Sequence, residues 1–96
     1  MQQSTLQQKF NALGDPTRYA LVVSMIKREQ LCVSELAEKL TMTPAAVSQH
    51  MRILEEANII VPTRSGRRVC YTLNADCPGL RSLAKLMKQE ELYEAK

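Results

Sequence analysis

Leu6, Phe10 and Leu13 recur at i, i+4 and i+7, the spacing of one helical face, and Gly14 ends the run. Asp15-Pro16 then supplies an N-cap acceptor followed by a proline suited to a first helical position. The spacing predicts a second helix through Leu21, Val22, Met25 and Ile26 to about Arg28. Val33, Leu36, Ala37 and Leu40 repeat the pattern and predict a third helix, with Thr41-Met42 as a short turn behind it. Thr43-Pro44 repeats the cap-plus-proline signal and opens a fourth helix, whose inward face is Val47, Met51 and Leu54. Two helices joined by so short a turn form a helix-turn-helix.

After Asn58 the period changes from that of a helix to that of a strand. Segments 59–64 and 67–73 read as two strands around Ser65-Gly66, a tight hairpin turn. Val69, Tyr71 and Leu73 alternate with Arg68, Cys70 and Thr72, which predicts one packed face and one polar face. Pro62 has no amide to donate, so the first strand must be an edge there. Pro78 opens a last helix with Leu80, Leu83, Ala84 and Met87 on one stripe, widened by Leu86, Leu92 and Tyr93. The order α-α-α-α-β-β-α is mainly helical with one small β-hairpin: a winged helix-turn-helix forming a single domain over residues 1–96. The recognition helix falls at about 44–57 and the wing at about 59–73.

Composition sharpens this in two places. A chain of 96 residues without Trp and with a single Phe must build its core from aliphatic side chains, which suits helices packed on helices. A chain this short also buries its apolar surface incompletely. The surplus on helices 4–13 and 78–93, at Leu6, Phe10, Leu80, Leu83 and Met87, therefore predicts a homodimer joined there. No stretch reaches the roughly 20 apolar residues of a membrane span, and Met1 to Thr5 lacks the features of a signal peptide. The expectation is a cytoplasmic protein with no membrane partner and reduced thiols.

Charge distribution points to the partner. The net charge is only +3, but Arg64, Arg67 and Arg68 flank the Gly66 turn and repel one another unless an anion neutralises them. With Val47, Met51 and Leu54 facing inward, the fourth helix leaves Ala45, Ala46, Ser48, Gln49 and Arg52 outward. Small early residues allow close approach to base edges; Gln49 suits adenine, Ser48 donates or accepts, and Arg52 reaches guanine or a phosphate. Thr43, Pro44 and the helix N-terminus beside them suit a phosphate. His50, the single histidine, suits either a structural hydrogen bond or a phosphate contact. Together these residues describe a helix that reads a groove of double-stranded DNA and a wing that grips its backbone. No nucleophile–base pair, phosphate-cradling glycine loop or paired carboxylates can be assembled, so an enzyme is not expected.

Several segments resemble the ArsR/SmtB family of repressors. Leu13-Gly14-Asp15-Pro16-Thr17-Arg18 is similar to the family's opening motif. Val33-Ser34-Glu35-Leu36-Ala37, followed by Thr43-Pro44-Ala45-Ala46-Val47-Ser48-Gln49-His50-Met51-Arg52-Ile53-Leu54, resembles its helix-turn-helix. Gly66-Arg67-Arg68-Val69-Cys70-Tyr71-Thr72-Leu73 resembles its wing. The resemblance implies a dimer joined through its first and last helices and bound to an imperfect palindrome. It also implies release by an inducer: a metal ion, arsenite or a thiol-reactive species.

The family's inducer sites transfer poorly. The last helix carries Glu90, Glu91 and Glu94 but no histidine for a zinc site. A Cys-x-Cys at the third helix is here Cys32-Val33-Ser34, with one thiolate where arsenite or a soft metal ion needs several. Cys70 and Cys77 are the other thiols. The three cysteines admit three readings: small buried hydrophobes, a redox or sulfur sensor, or a three-thiolate site for arsenite or a soft metal ion. Cys77, beside the last helix's N-terminus, is expected to be the most reactive. No resident cofactor is required. Two rival functions stand beside an effector-released repressor: a constitutive DNA-binding regulator and a winged-helix adaptor for proteins.

Overall fold

The computed structural model describes residues 5–28 and 30–94, with side chains as far as residue 91. Ser4 and the side chains of Leu92, Tyr93 and Glu94, which entered the sequence reading, lie outside the described residues. The order is α1 (Leu6–Leu13), α2 (Pro16–Lys27), β1 (Leu31–Cys32), α3 (Val33–Leu40), α4 (Pro44–Glu56), β2 (Ile60–Ser65), β3 (Arg68–Leu73) and α5 (Pro78–Glu94). The helix-turn-helix, the hairpin and the last helix match the periodicity. The winged helix-turn-helix predicted from the sequence is the fold observed, with one added strand, β1.

Local chemistry sets most helix starts. Thr5 and Gln8 form a reciprocal capping box at α1, Gln8 N–H donating to Thr5 Oγ1 and Thr5 N–H to Gln8 Oε1. Asp15 Oδ2 accepts from the Arg18 amide at 3.0 Å and caps α2. Thr43 Oγ1 accepts from the Ala46 amide at 3.1 Å and caps α4, with Pro44 at the first helical position. Between α3 and α4 the chain turns through Thr41 in the left-handed region, φ 54°.

The sheet has the order β1-β3-β2, all antiparallel. β2 is an edge strand, as Pro62 requires. At the hairpin turn Gly66 has φ 61° with nothing within 4 Å of a Cβ placed there, so conformation and not crowding calls for glycine. β1 pairs Leu31 with Tyr71 and Cys32 with Cys70. The predicted polar face of β3 therefore needs correction: Cys70 is buried, because β1 brings Cys32 against it.

Val22, Val47, Met51, Leu54, Ile59, Ile60 and Leu80 form the centre of the core, drawn from α2, α4, the turn into β2, β2 itself and α5. Leu80, Leu83 and Met87 are buried within the chain itself. They correct the expected dimer stripe, since their surface is already covered by the domain's own packing. Leu6 and Phe10 on α1 and Leu86 on α5 stay about half exposed, at 52%, 54% and 53%. No helix among the described residues is long and apolar enough to cross a membrane.

Candidate nucleic-acid interface

Burial of Val47, Met51 and Leu54 fixes the roll of α4 about its axis. Thr43, Pro44, Ala45, Ser48, Gln49 and Arg52 are consequently exposed, and Ala46 is half-buried. Thr43 spends one lone pair on its cap and keeps its hydroxyl proton to donate. Facing this helix, the wing presents Arg64, Arg67 and Arg68, all exposed. Ser48, Arg52, Glu55, Arg64, Arg67 and Arg68 line one open groove of about 510 Å³, floored in part by Val33, Pro44, Val69 and Tyr71. Gln49 is exposed outside it. Four arginines from two elements thus share a single concave surface with one carboxylate, Glu55. Burial, with the negative charge of Glu55, holds the Tyr71 phenol above its usual pKa, so it faces the groove protonated.

His50 is turned away from this surface. Its Nδ1 lies 3.4 Å from Arg18 Nη1 and 4.0 Å from Asp15 Oδ2. Arg18 in turn donates through Nε to the Ala12 carbonyl at 2.7 Å. His50 thus makes a structural contact that ties α4 to the α1–α2 corner. The hydrogen bond donated by the Arg18 backbone amide, with the Arg18 and His50 charges, holds Asp15 below its usual carboxylate pKa. This cluster is not visible in the sequence, where Asp15 reads as a helix cap and Arg18 as the end of the opening motif.

The cysteines separate into a pair and a single thiol. Cys32 and Cys70 are joined by a disulfide across β1 and β3. Arg68 Nη2 lies 3.5 Å from Cys32 Sγ and 3.7 Å from Glu35 Oε1. Cys77 is free and half-buried at the start of α5, its carbonyl accepting from the Arg81 amide. Among the described residues no three His, Cys, Asp or Glu side chains come together to hold a metal ion. Cys77 thus does not complete a three-thiolate site within the chain. Cysteine spacing could not have given the pairing; the one hint was the short apolar step Leu31-Cys32 ahead of α3.

The comparisons with known proteins agree with this geometry. Residues 15–61, from the cap of α2 into β2, match the model of bacterial regulatory proteins of the arsR family. The HTH-type transcriptional repressor SmtB of Mycobacterium tuberculosis is 42% identical over 62 residues, 65% of this chain and 45% of its own length. The arsenical resistance operon repressor of Bacillus subtilis is 35% identical over 68 residues, 71% of this chain and 65% of its own. The chain therefore spans from under half to about two thirds of the length of these relatives. The crystal structure of the ArsR family transcriptional regulator RHA00566 superposes with a TM-score of 0.66 at 33% identity, covering 95% of this chain and 92% of that one. With its fold matched over 95% of its length at 33% identity and its helix-turn-helix inside the family match, this chain belongs to the ArsR family of bacterial regulatory proteins.

Proposed function

We propose that this chain is a sequence-specific DNA-binding repressor that works as a homodimer on an imperfect palindrome. One observation carries the reading: the exposed face of α4 and the arginines of the wing share one concave, positively charged surface. Arg64, Arg67 and Arg68 hold backbone phosphates, while Ser48, Gln49 and Arg52 face base edges. Thr43 donates to a phosphate at the start of α4. A second copy covers Leu6, Phe10 and Leu86, the apolar side chains that the chain leaves outward. A two-fold axis there sets two copies of α4 about 34 Å apart, one turn of duplex.

Release from the operator is assigned to an effector that acts on the Cys32–Cys70 pair, because that pair lies beside the groove with a wing arginine against it. The relative named for arsenical resistance supports a metalloid effector, and arsenite is a ligand of thiolates. This reading calls on no resident cofactor and no catalytic step, in keeping with a family described as regulatory proteins.

The test is to select tight-binding duplexes from a random pool and compare the wild type with Gln49→Ala by fluorescence anisotropy. Loss of discrimination at particular base pairs, by about 1–3 kcal/mol each, is the expected result. Failure to select any sequence above the random pool would overturn the proposal. Phe10→Glu, followed by sedimentation, should convert dimers to monomers.

A further inference from the structure

We infer that Cys32 and Cys70 are a peroxide-reactive dithiol whose oxidation state sets how tightly the wing holds DNA. The inference rests on the DNA-binding reading of the groove and names its regulation.

Cys32 occupies the N-cap position of α3 and makes no side-chain cap hydrogen bond. As a free thiol its sulfur would sit at the positive end of α3 and 3.5 Å from the Arg68 guanidinium. Both favour the thiolate over the thiol, which makes Cys32 the nucleophile of the pair. Cys70 is directly opposite across the β1–β3 register, within bonding reach as the disulfide shows. Cys32 and Cys70 are only 2% and 5% exposed. The Arg68 side chain in contact with the Cys32 sulfur, however, is 63% exposed to solvent, so its movement opens a path for a small oxidant. Val33 and Val69, their chain neighbours, line the open groove.

The chemistry balances with a hydroperoxide as oxidant. The Cys32 thiolate attacks the peroxide O–O bond, giving a Cys32 sulfenic acid and an alkoxide that takes a proton to leave as alcohol, or as water from hydrogen peroxide. The Cys70 thiol then displaces hydroxide from the sulfenic sulfur, forming the disulfide and releasing water. Two electrons pass from the sulfurs to the peroxide oxygens. An external dithiol reverses the step by thiol–disulfide exchange and is itself oxidised to a disulfide.

Electrostatics gives the sign. The reduced pair places a thiolate beneath Arg68, beside Glu35, so two anions compete with phosphate for one wing arginine. Oxidation removes one of them. The disulfide form therefore binds DNA more tightly, and reduction is the releasing event.

The experiment is anisotropy on a random-sequence duplex across a salt series. It compares protein reduced with dithiothreitol against protein oxidised with hydrogen peroxide, with thiols counted by mass spectrometry. The disulfide form should bind on the order of fivefold more tightly at low salt, with a salt slope steeper by roughly 0.9 per protomer. Cys32→Ser, lacking the thiolate, should bind like the oxidised wild type under reducing conditions. Cys70→Ser, keeping it, should bind like the reduced wild type, and Cys77→Ser should respond to peroxide as the wild type does. Three results would overturn the inference: no Cys32–Cys70 bond after peroxide, equal slopes in the two states, or reduced Cys32→Ser binding as weakly as reduced wild type. If neither state binds duplex DNA at all, the DNA-binding reading itself fails, while mass spectrometry still reports on the dithiol.

Discussion

The two helices of the helix-turn-helix begin in opposite ways. α4 starts on Thr43 and Pro44, where one hydroxyl and one ring fix the first turn without help from any distant segment. α3 starts on Cys32, which makes no side-chain cap and is placed by its pairing with Cys70, 38 residues further along the chain. The helix that faces the groove is positioned by its own sequence. The start of the helix behind it is tied to the wing through Cys32, so anything that alters the wing's base also reaches α3.

The largest expected difference between the two starts is thermodynamic. Breaking the Cys32–Cys70 bond releases the long loop it closes, and the urea unfolding free energy should fall by about 2–4 kcal/mol on reduction. Cys77→Ser should leave that difference unchanged. The smaller break is Thr43→Ala, which removes one local cap and should cost about 1 kcal/mol in either redox state. If reduction cost no more than Thr43→Ala, α3 would not depend on the wing for its placement.

The subtlest test concerns Asp15, which caps α2 beside His50 of α4. Its carboxyl is held below the unfolded value, so its contribution is fully present above the ordinary carboxylate pKa. That contribution is lost as pH falls through the lowered folded value. Asp15→Asn should therefore flatten the acid limb of the stability–pH curve and leave its shape near neutrality unchanged, as urea midpoints across the acid range would record.

The same contrast explains what could be read from the sequence. α4, its buried Val47, Met51 and Leu54, and its exposed Ser48, Gln49 and Arg52 were legible because they follow from a cap, a proline and a period of 3.6. The hairpin was legible from alternation around Gly66, and Pro62 marked its edge. β1 was not, because two residues have no period and their strand character comes only from pairing with β3. The disulfide and the burial of Cys70 follow from that strand and were hidden with it. His50 was placed on the right helix, but its partners Arg18 and Asp15 come from a corner more than thirty positions earlier. Leu80, Leu83 and Met87 formed a readable stripe, yet a stripe does not say whether its own domain or a second copy covers it.

The central claim is that the wing arginines hold DNA phosphates beside the exposed face of α4. It is tested most directly by the salt dependence of duplex binding for the wild type and Arg67→Ala, since Arg67 has no ion pair among the described residues that would complicate the comparison. The account predicts weaker binding to every sequence alike and a log–log slope shallower by roughly 0.9 per protomer. Unchanged affinity and an unchanged slope would contradict it.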